Sequence, residues 1–141
     1  MVETKLKDAT FKHIEAELYT YHETKKEITR LREEILFSTK TDENSIPGRN
    51  SVREPSRTTE IIATRLTTDK RLRNLEEIIT AIDRAFDCVP DEYRDVIRLK
   101  YWDRNKKDWK AIADACNMHE NTALKYRKHF VYLIAEKVGW V

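Results

Sequence analysis

Trp109-Lys110-Ala111-Ile112-Ala113-Asp114-Ala115-Cys116-Asn117-Met118-His119-Glu120-Asn121-Thr122-Ala123-Leu124-Lys125-Tyr126-Arg127 carries the residue types that two helices crossing at a tight turn require. The first helix needs a small residue where the second crosses it, and Ala113 fills that place, with Ile112 and Cys116 on the same apolar face. The turn needs a residue that accepts positive φ. Asn117 does so more readily than other residues with a side chain. Met118 then tucks inward, and a second helix begins near His119 to Asn121 without a strong Ser or Asp cap. Ala123, Tyr126, Phe130, Leu133 or Ile134, and Val138 follow at three- and four-residue intervals, the stripe of a helix packed along one face. The complementary face carries Asn121, Lys125 and Lys128, an amide and two cations available to a duplex. The spacing predicts a helix-turn-helix.

Upstream, Val89-Pro90-Asp91-Glu92-Tyr93-Arg94-Asp95-Val96-Ile97-Arg98-Leu99-Lys100-Tyr101 reads as a helix feeding that pair, with proline well placed in a first turn. The break at Val89-Pro90 sets an expected domain boundary close to Cys88, giving a helix-turn-helix domain over 88–141. From about Pro55 or Ser56 to Phe86 a long helix is expected, its seam formed by Leu72, Leu75, Ile79, Ile82 and Phe86. Another is expected from Lys7 to Phe37, where Phe11, Ile14, Leu18, Tyr21, Ile28 and Ile35 share one seven-residue repeat. Its seam is imperfect, because Lys25 and Arg32 fall on it and Leu31 falls off it. Residues 38–57 read as a flexible connection with a turn at Pro47-Gly48; Arg49, Arg53 and Arg57 belong either to a solvated loop or to a basic arm. The expected fold is therefore all-α, with residues 1–87 forming a long helical hairpin or coiled-coil-like oligomerisation module. The two seams pair either within one chain or between chains.

Composition agrees with long helices. Glycine occurs only at Gly48 and Gly139, there are 3 prolines, and 37% of the residues are charged. The net charge of +2 is unevenly spread. Residues 1–37 hold seven basic against eight acidic, 38–90 nine of each, and 91–141 eleven against eight. Phosphate neutralisation supplies much of the affinity of duplex-binding proteins, so so small an excess implies weak binding by one copy. A homo-oligomer or a polymerase partner would make up the shortfall. Cys88 and Cys116 lie far apart among apolar neighbours and read as small core residues in a reducing compartment. No apolar run approaches the ~20 residues that span a bilayer, and Met1-Val2-Glu3-Thr4-Lys5 lacks the apolar core of a signal peptide. A soluble, cytoplasmic protein with no membrane partner is the expectation.

Catalytic and metal chemistry find no foothold in these residues. No phosphate-cradling Gly loop, no Gly-flanked Ser nucleophile and no cysteines at metal spacing occur. His13 and His22 fall on roughly opposite faces of a helix, and His119 and His129 also diverge. Glu33-Glu34 and Glu76-Glu77 are adjacent and so splay around a helix surface. No enzymatic activity, cofactor or metal is expected, and Trp102, Trp109 and Trp140 are expected in the core.

The segment from Val89 through Arg127 resembles region four of bacterial sigma factors, the domain that reads promoter DNA. Arg98-Leu99-Lys100-Tyr101 matches the tail of that domain's Leu-Pro-led helix, and Ile112-Ala113 matches an Ile-Ala step in its reading pair. The whole chain is similar to the RinA-like phage transcriptional regulators and their ArpU-type relatives. Its opening Ala9-Thr10-Phe11-Lys12-His13-Ile14-Glu15-Ala16-Glu17-Leu18-Tyr19 and the stretch Glu54-Pro55-Ser56-Arg57-Thr58-Thr59-Glu60 carry the likeness beyond the sigma-like part. The resemblance implies a sequence-specific double-stranded DNA-binding regulator, an activator of phage or prophage genes working with host RNA polymerase at the nucleoid. It assigns His119, Glu120, Asn121, Leu124, Lys125 and Lys128 to the groove and Lys106, Lys107, Lys110 and Arg127 to the DNA backbone. Asn121 suits adenine, Glu120 suits cytosine, and a lysine suits guanine or phosphate. Leu124 either touches a thymine methyl or turns inward. The chain departs from the sigma pattern at Asn117, where the turn has Gly, and at Leu124, an apolar residue on the DNA face. Two other classes join similar parts: a phage small terminase subunit that binds packaging DNA, and a coiled-coil interaction protein.

Overall fold

The computed structural model describes residues 6–43 and 55–141, and among these all regular structure is helical. The elements are α1 (Asp8–Tyr19), α2 (Tyr21–Glu43), α3 (Pro55–Cys88), α4 (Asp91–Ile97), a π-helical turn (Arg98–Trp102), α5 (Trp109–Ala115) and α6 (Glu120–Val138). The all-α expectation holds. No described helix is long and apolar enough to cross a membrane.

The expected helix from Lys7 to Phe37 is two helices. Thr20 leaves helical geometry at φ −97°, ψ 10°, and its Oγ1 donates to the Ala16 carbonyl at 3.1 Å. A hydroxyl that bonds back to the main chain competes with the helical ladder. The Leu18 carbonyl meanwhile accepts from the Trp102 indole Nε1 at 3.0 Å. The interruption resets the apolar register. Tyr21, Thr24, Ile28 and Leu31 are buried, whereas Lys25 and Arg32, expected on the seam, are exposed. The ends of the expected flexible connection are helical too, since α2 continues to Glu43 and α3 begins at Pro55. Pro47-Gly48, Arg49, Arg53 and the side chain of Arg57 lie outside the described residues.

The chain divides into two units, one made of Met1–Tyr21 with Ile78–Val141 and the other of His22–Glu77, rather than at residue 88. In the second unit α2 and α3 run antiparallel. Glu27 and Arg32 of α2 pair with Arg71 and Glu76 of α3 at 3.3 and 2.8 Å, and farther along α2 Glu34 and Ile35 line a groove with Glu60 to Thr68. The arginines of both pairs are largely exposed, so each pair adds little stability. Burial of Ile28 and Leu31 is the larger stabilising term.

The first unit joins the amino terminus to the last third of the chain. α1 packs against α6 and the π-helical turn, and α6 also packs against α4 and α5. Ile14, Leu18, Ile82, Val96, Ile97, Ile112, Phe130, Val131 and Ile134 are its fully buried large side chains. Ile79 and Ile82, expected on a possible dimer seam, are spent in this chain's own core together with Ile78, Ala81 and Ala85. α3 ends at Cys88, two residues past the expected Phe86 and just before Val89-Pro90. There Arg94 donates to the carbonyls of Phe86 and Asp87 at 2.8 and 3.0 Å, satisfying orphan acceptors of the helix terminus. α6 ends at Gly139, whose φ of 88° favours glycine. Trp140 N then returns to the Ala135 carbonyl at 2.9 Å, and the Trp140 ring meets His13 edge-on at 4.9 Å. Two core assignments do not hold: Cys88 is exposed, and Trp140, at the chain end, stays 42% exposed.

Tyr101 fastens α1 to this unit. Its hydroxyl donates to Glu15 Oε2 at 2.6 Å, and burial together with that bond and the Glu15 charge pushes its pKa well above the ordinary 10.0. Tyr101→Phe is expected to cost about 1–2 kcal/mol in urea unfolding at neutral pH, because a part-buried carboxylate loses its donor. Since the folded pKa is raised, this contribution is complete below pH 10.0 and is lost as pH rises past it. The variant should lose stability less steeply than the parent over that alkaline range, and parallel slopes would contradict the assignment.

Candidate nucleic-acid interface

α5 opens with a cap that fixes its direction: Asp108 Oδ1 accepts from Ala111 N at 2.8 Å. At its end Asn117 holds φ 55°, the one residue other than glycine with positive φ among those described. The expected left-handed turn is therefore present. Met118 N returns to the Ala113 carbonyl at 3.0 Å. Met118 then packs with Leu99, Trp109, Cys116 and Tyr126 around a core of Val96, Ile112, Ala113 and Ala123. His119 precedes α6 without a side-chain capping bond, as its residue type led us to expect. Burial pushes the Cys116 thiol pKa up, assisted by the Asp95 charge, so the thiol stays protonated inside the turn.

The side chains assigned to a groove share the outer surface at the start of α6. His119, Glu120, Asn121, Lys125 and Lys128 are exposed, and Leu124 is half-buried. Lys106 and Lys110, flanking the start of α5, are exposed. Lys107 is half-buried, with Nζ 3.9 Å from Asp103 Oδ2, an ion pair that offsets part of its charge.

Arg127 is placed differently from the sequence assignment. Its guanidinium lies 4.9 Å from the Phe11 ring centre and 5.1 Å from that of Trp109. Its Nε stands 3.9 Å from Glu15 Oε2, and the side chain is 23% exposed. That separation is an ion pair beyond hydrogen-bonding range, and Nε is buried without a hydrogen-bond partner among the described residues. Arg127 thus joins α6 to α1 and α5. Lys100 Nζ also lies over the Trp109 ring, at 5.0 Å, so Trp109 meets the feeder segment through a cation. Sequence reasoning missed Phe11 and Glu15, whose role rests on contacts with residues more than eighty positions away. It also missed the stacking of Tyr93 on Tyr126 at 3.9 Å, which sets α4 against α6.

Two measurements test this construction. Asn117→Ala should lose about 1 kcal/mol in urea unfolding while Asn117→Gly loses nothing, because only the alanine Cβ is penalised in the left-handed region; equal losses would remove the backbone argument. Arg127→Ala should lose about 2 kcal/mol, and Arg127→Lys should restore only part of it, because a lysine ammonium does not stack as a planar guanidinium does. Full restoration by lysine would reduce the residue to a simple charge.

No curated protein and no solved structure matches the chain. A family model described as a protein of unknown function, DUF722, matches residues 10–136, nearly the whole length, and the chain belongs to that family.

Proposed function

We propose that this protein is a sequence-specific DNA-binding transcriptional regulator, in which α5, the Asn117 turn and α6 act as a helix-turn-helix. On this reading it activates phage or prophage genes together with host RNA polymerase and has no enzymatic activity. The observation that carries the reading is the juxtaposition at the start of α6. A tight left-handed turn leads into an exposed Asn121, Lys125 and Lys128 on a helix whose opposite face is anchored by Ala123, Phe130, Val131 and Ile134. A reading helix needs this combination: a rigid seat in the protein and polar side chains that reach base edges. The likeness to sigma region four and to the RinA-like and ArpU-type regulators supports the same assignment.

The roles divide by position. Asn121 pairs with adenine, Glu120 accepts from cytosine, and Lys125 and Lys128 meet guanine acceptors or phosphate. Lys106 and Lys110, beside the start of α5, meet the phosphate backbone. Leu124 contributes apolar surface at the margin of the groove. Arg127 acts indirectly, by holding α6 against α1 and α5.

The test begins by selecting bound fragments from a pool of phage and bacterial DNA and measuring affinity by anisotropy across a salt series. Asn121→Ala or Lys125→Ala should cost about 1–3 kcal/mol on the selected site and relax preference at one base pair. Lys110→Ala should weaken all sequences alike and reduce the salt slope by about one. A selected motif and affinity unaltered by the changes at Asn121 and Lys125 would rule out this helix as the reader.

A further inference from the structure

A cation stands in the packed stripe of α6. At about 100° per residue, Arg127 lies within about 60° of the fully buried Ala123, Phe130 and Ile134, and about 160° from Lys125 on the outer face. Stability does not call for a charge there. A part-buried ion pair loses much of its Coulombic gain to desolvation, and uncharged side chains of similar shape usually hold a fold as well or better. What the pair supplies, and apolar contact does not, is direction. Phe11 and Glu15 lie one turn apart on α1, and both face Arg127. Trp109 covers it from α5, and the Tyr101 hydroxyl fixes the carboxylate from a fourth element. Apolar helix faces can turn against each other with little change in buried area. A planar guanidinium that meets two rings and a held carboxylate has far fewer placements.

We infer that Glu15 and Arg127 are positioning residues for the reading helix. The pair fixes the rotation of α6 about its own axis, and so sets how sharply the protein discriminates among duplex sequences rather than how stably it folds. The inference rests on the proposed reading of DNA by α6. Side chains of a helix lie about 5 Å from its axis, so a turn of about 15° carries their ends by more than about 1 Å. That displacement spoils a bidentate bond from Asn121 to a base edge, whose geometry is narrow. Phosphate contacts from long, flexible lysines tolerate it. α1 is thereby a working part of the reader, although it meets α6 through Arg127 on the side away from Lys125.

Glu15→Gln combined with Arg127→Met in the full chain tests this. The glutamine carbonyl oxygen still accepts from Tyr101, the methionine stem still lies between Phe11 and Trp109, and one cation and one anion leave together. Affinities are measured by anisotropy on the selected site and on an unrelated duplex. The double variant should lose about tenfold or more in their ratio, with unrelated affinity and salt slope as in the parent and no fall in urea midpoint. Glu15→Gln alone should also lower the ratio, whereas a purely electrostatic role for Glu15 would raise both affinities together. Linkage gives a second readout: the selected duplex, and not the unrelated one, should slow amide exchange in α1. An unchanged ratio in the folded double variant overturns the inference and leaves the reader standing. An equal loss on both duplexes, with a salt slope lower by about one, would put Arg127 on a phosphate and overturn it as well. So would a ratio that falls only in step with the urea midpoint, which is the mark of a structural role. A parent protein that prefers no duplex sequence removes the DNA reading itself, and this inference with it.

Discussion

The carboxylate of Glu15 is the point on which the larger unit closes. It accepts from Tyr101 of the π-helical turn and faces Arg127 of α6, so three segments distant in sequence meet at one anion. A part-buried carboxylate is costly unless a donor and a cation answer it, and here each is supplied by a different element. The constraint is therefore mutual. α1 cannot move away without leaving Arg127 and Tyr101 unanswered, and α6 cannot rotate without withdrawing Arg127 from its two aromatic faces. The exposed polar side of α6 is oriented from beneath by this joint.

The π-helical turn from Arg98 to Trp102 makes the joint reachable. Widening one turn changes the directions of successive side chains, which an α-helix would space evenly around its axis. Tyr101 reaches Glu15, Trp102 reaches the Leu18 carbonyl and packs against Tyr21 and Phe86, and Lys100 turns to Trp109. Arg94 and Arg98 cover the ring of Phe86 at 5.5 and 5.1 Å. The junction of α3 with α4 is thus held by aromatic and cationic surface around a short irregular segment. The indole bond to the Leu18 carbonyl also ties the end of α1 to the π-helical turn.

Much of this was legible locally. The stop at Val89-Pro90, the left-handed place for Asn117, the inward Met118 and the buried stripe of α6 all follow from backbone preference and helical period, which act over a few residues. The break at Thr20 was not legible, because Phe11 to Ile35 keep a seven-residue repeat across it and the group that takes the Leu18 carbonyl comes from Trp102. Nor was the docking of α1: Glu15 and Phe11 look like ordinary residues of an amphipathic helix until Tyr101 and Arg127 arrive. Arg127 shows the same limit within the candidate site. A long aliphatic stem with a stacking guanidinium serves phosphate or an aromatic pocket equally well, and its position in the sequence does not say which. Asn121, Lys125 and Lys128 read correctly as surface residues because the apolar stripe of Ala123, Phe130 and Ile134 leaves them on the complementary face.

These placements sharpen the electrostatics of the proposed DNA reader. Residues 91–141 have only three more basic than acidic side chains, eleven against eight. Within that set Arg127 is turned toward Glu15, Lys107 faces Asp103, Arg94 caps α3, and Arg98 pairs with Asp95 at 3.4 Å. The cations left to meet phosphate are fewer than the sequence suggests, and each missing phosphate contact removes a released counterion from the binding free energy. A reader of this kind gains specificity from its few well-seated base contacts but little affinity from its field. Joining two readers raises the effective concentration of the second once the first is bound, without any added charge.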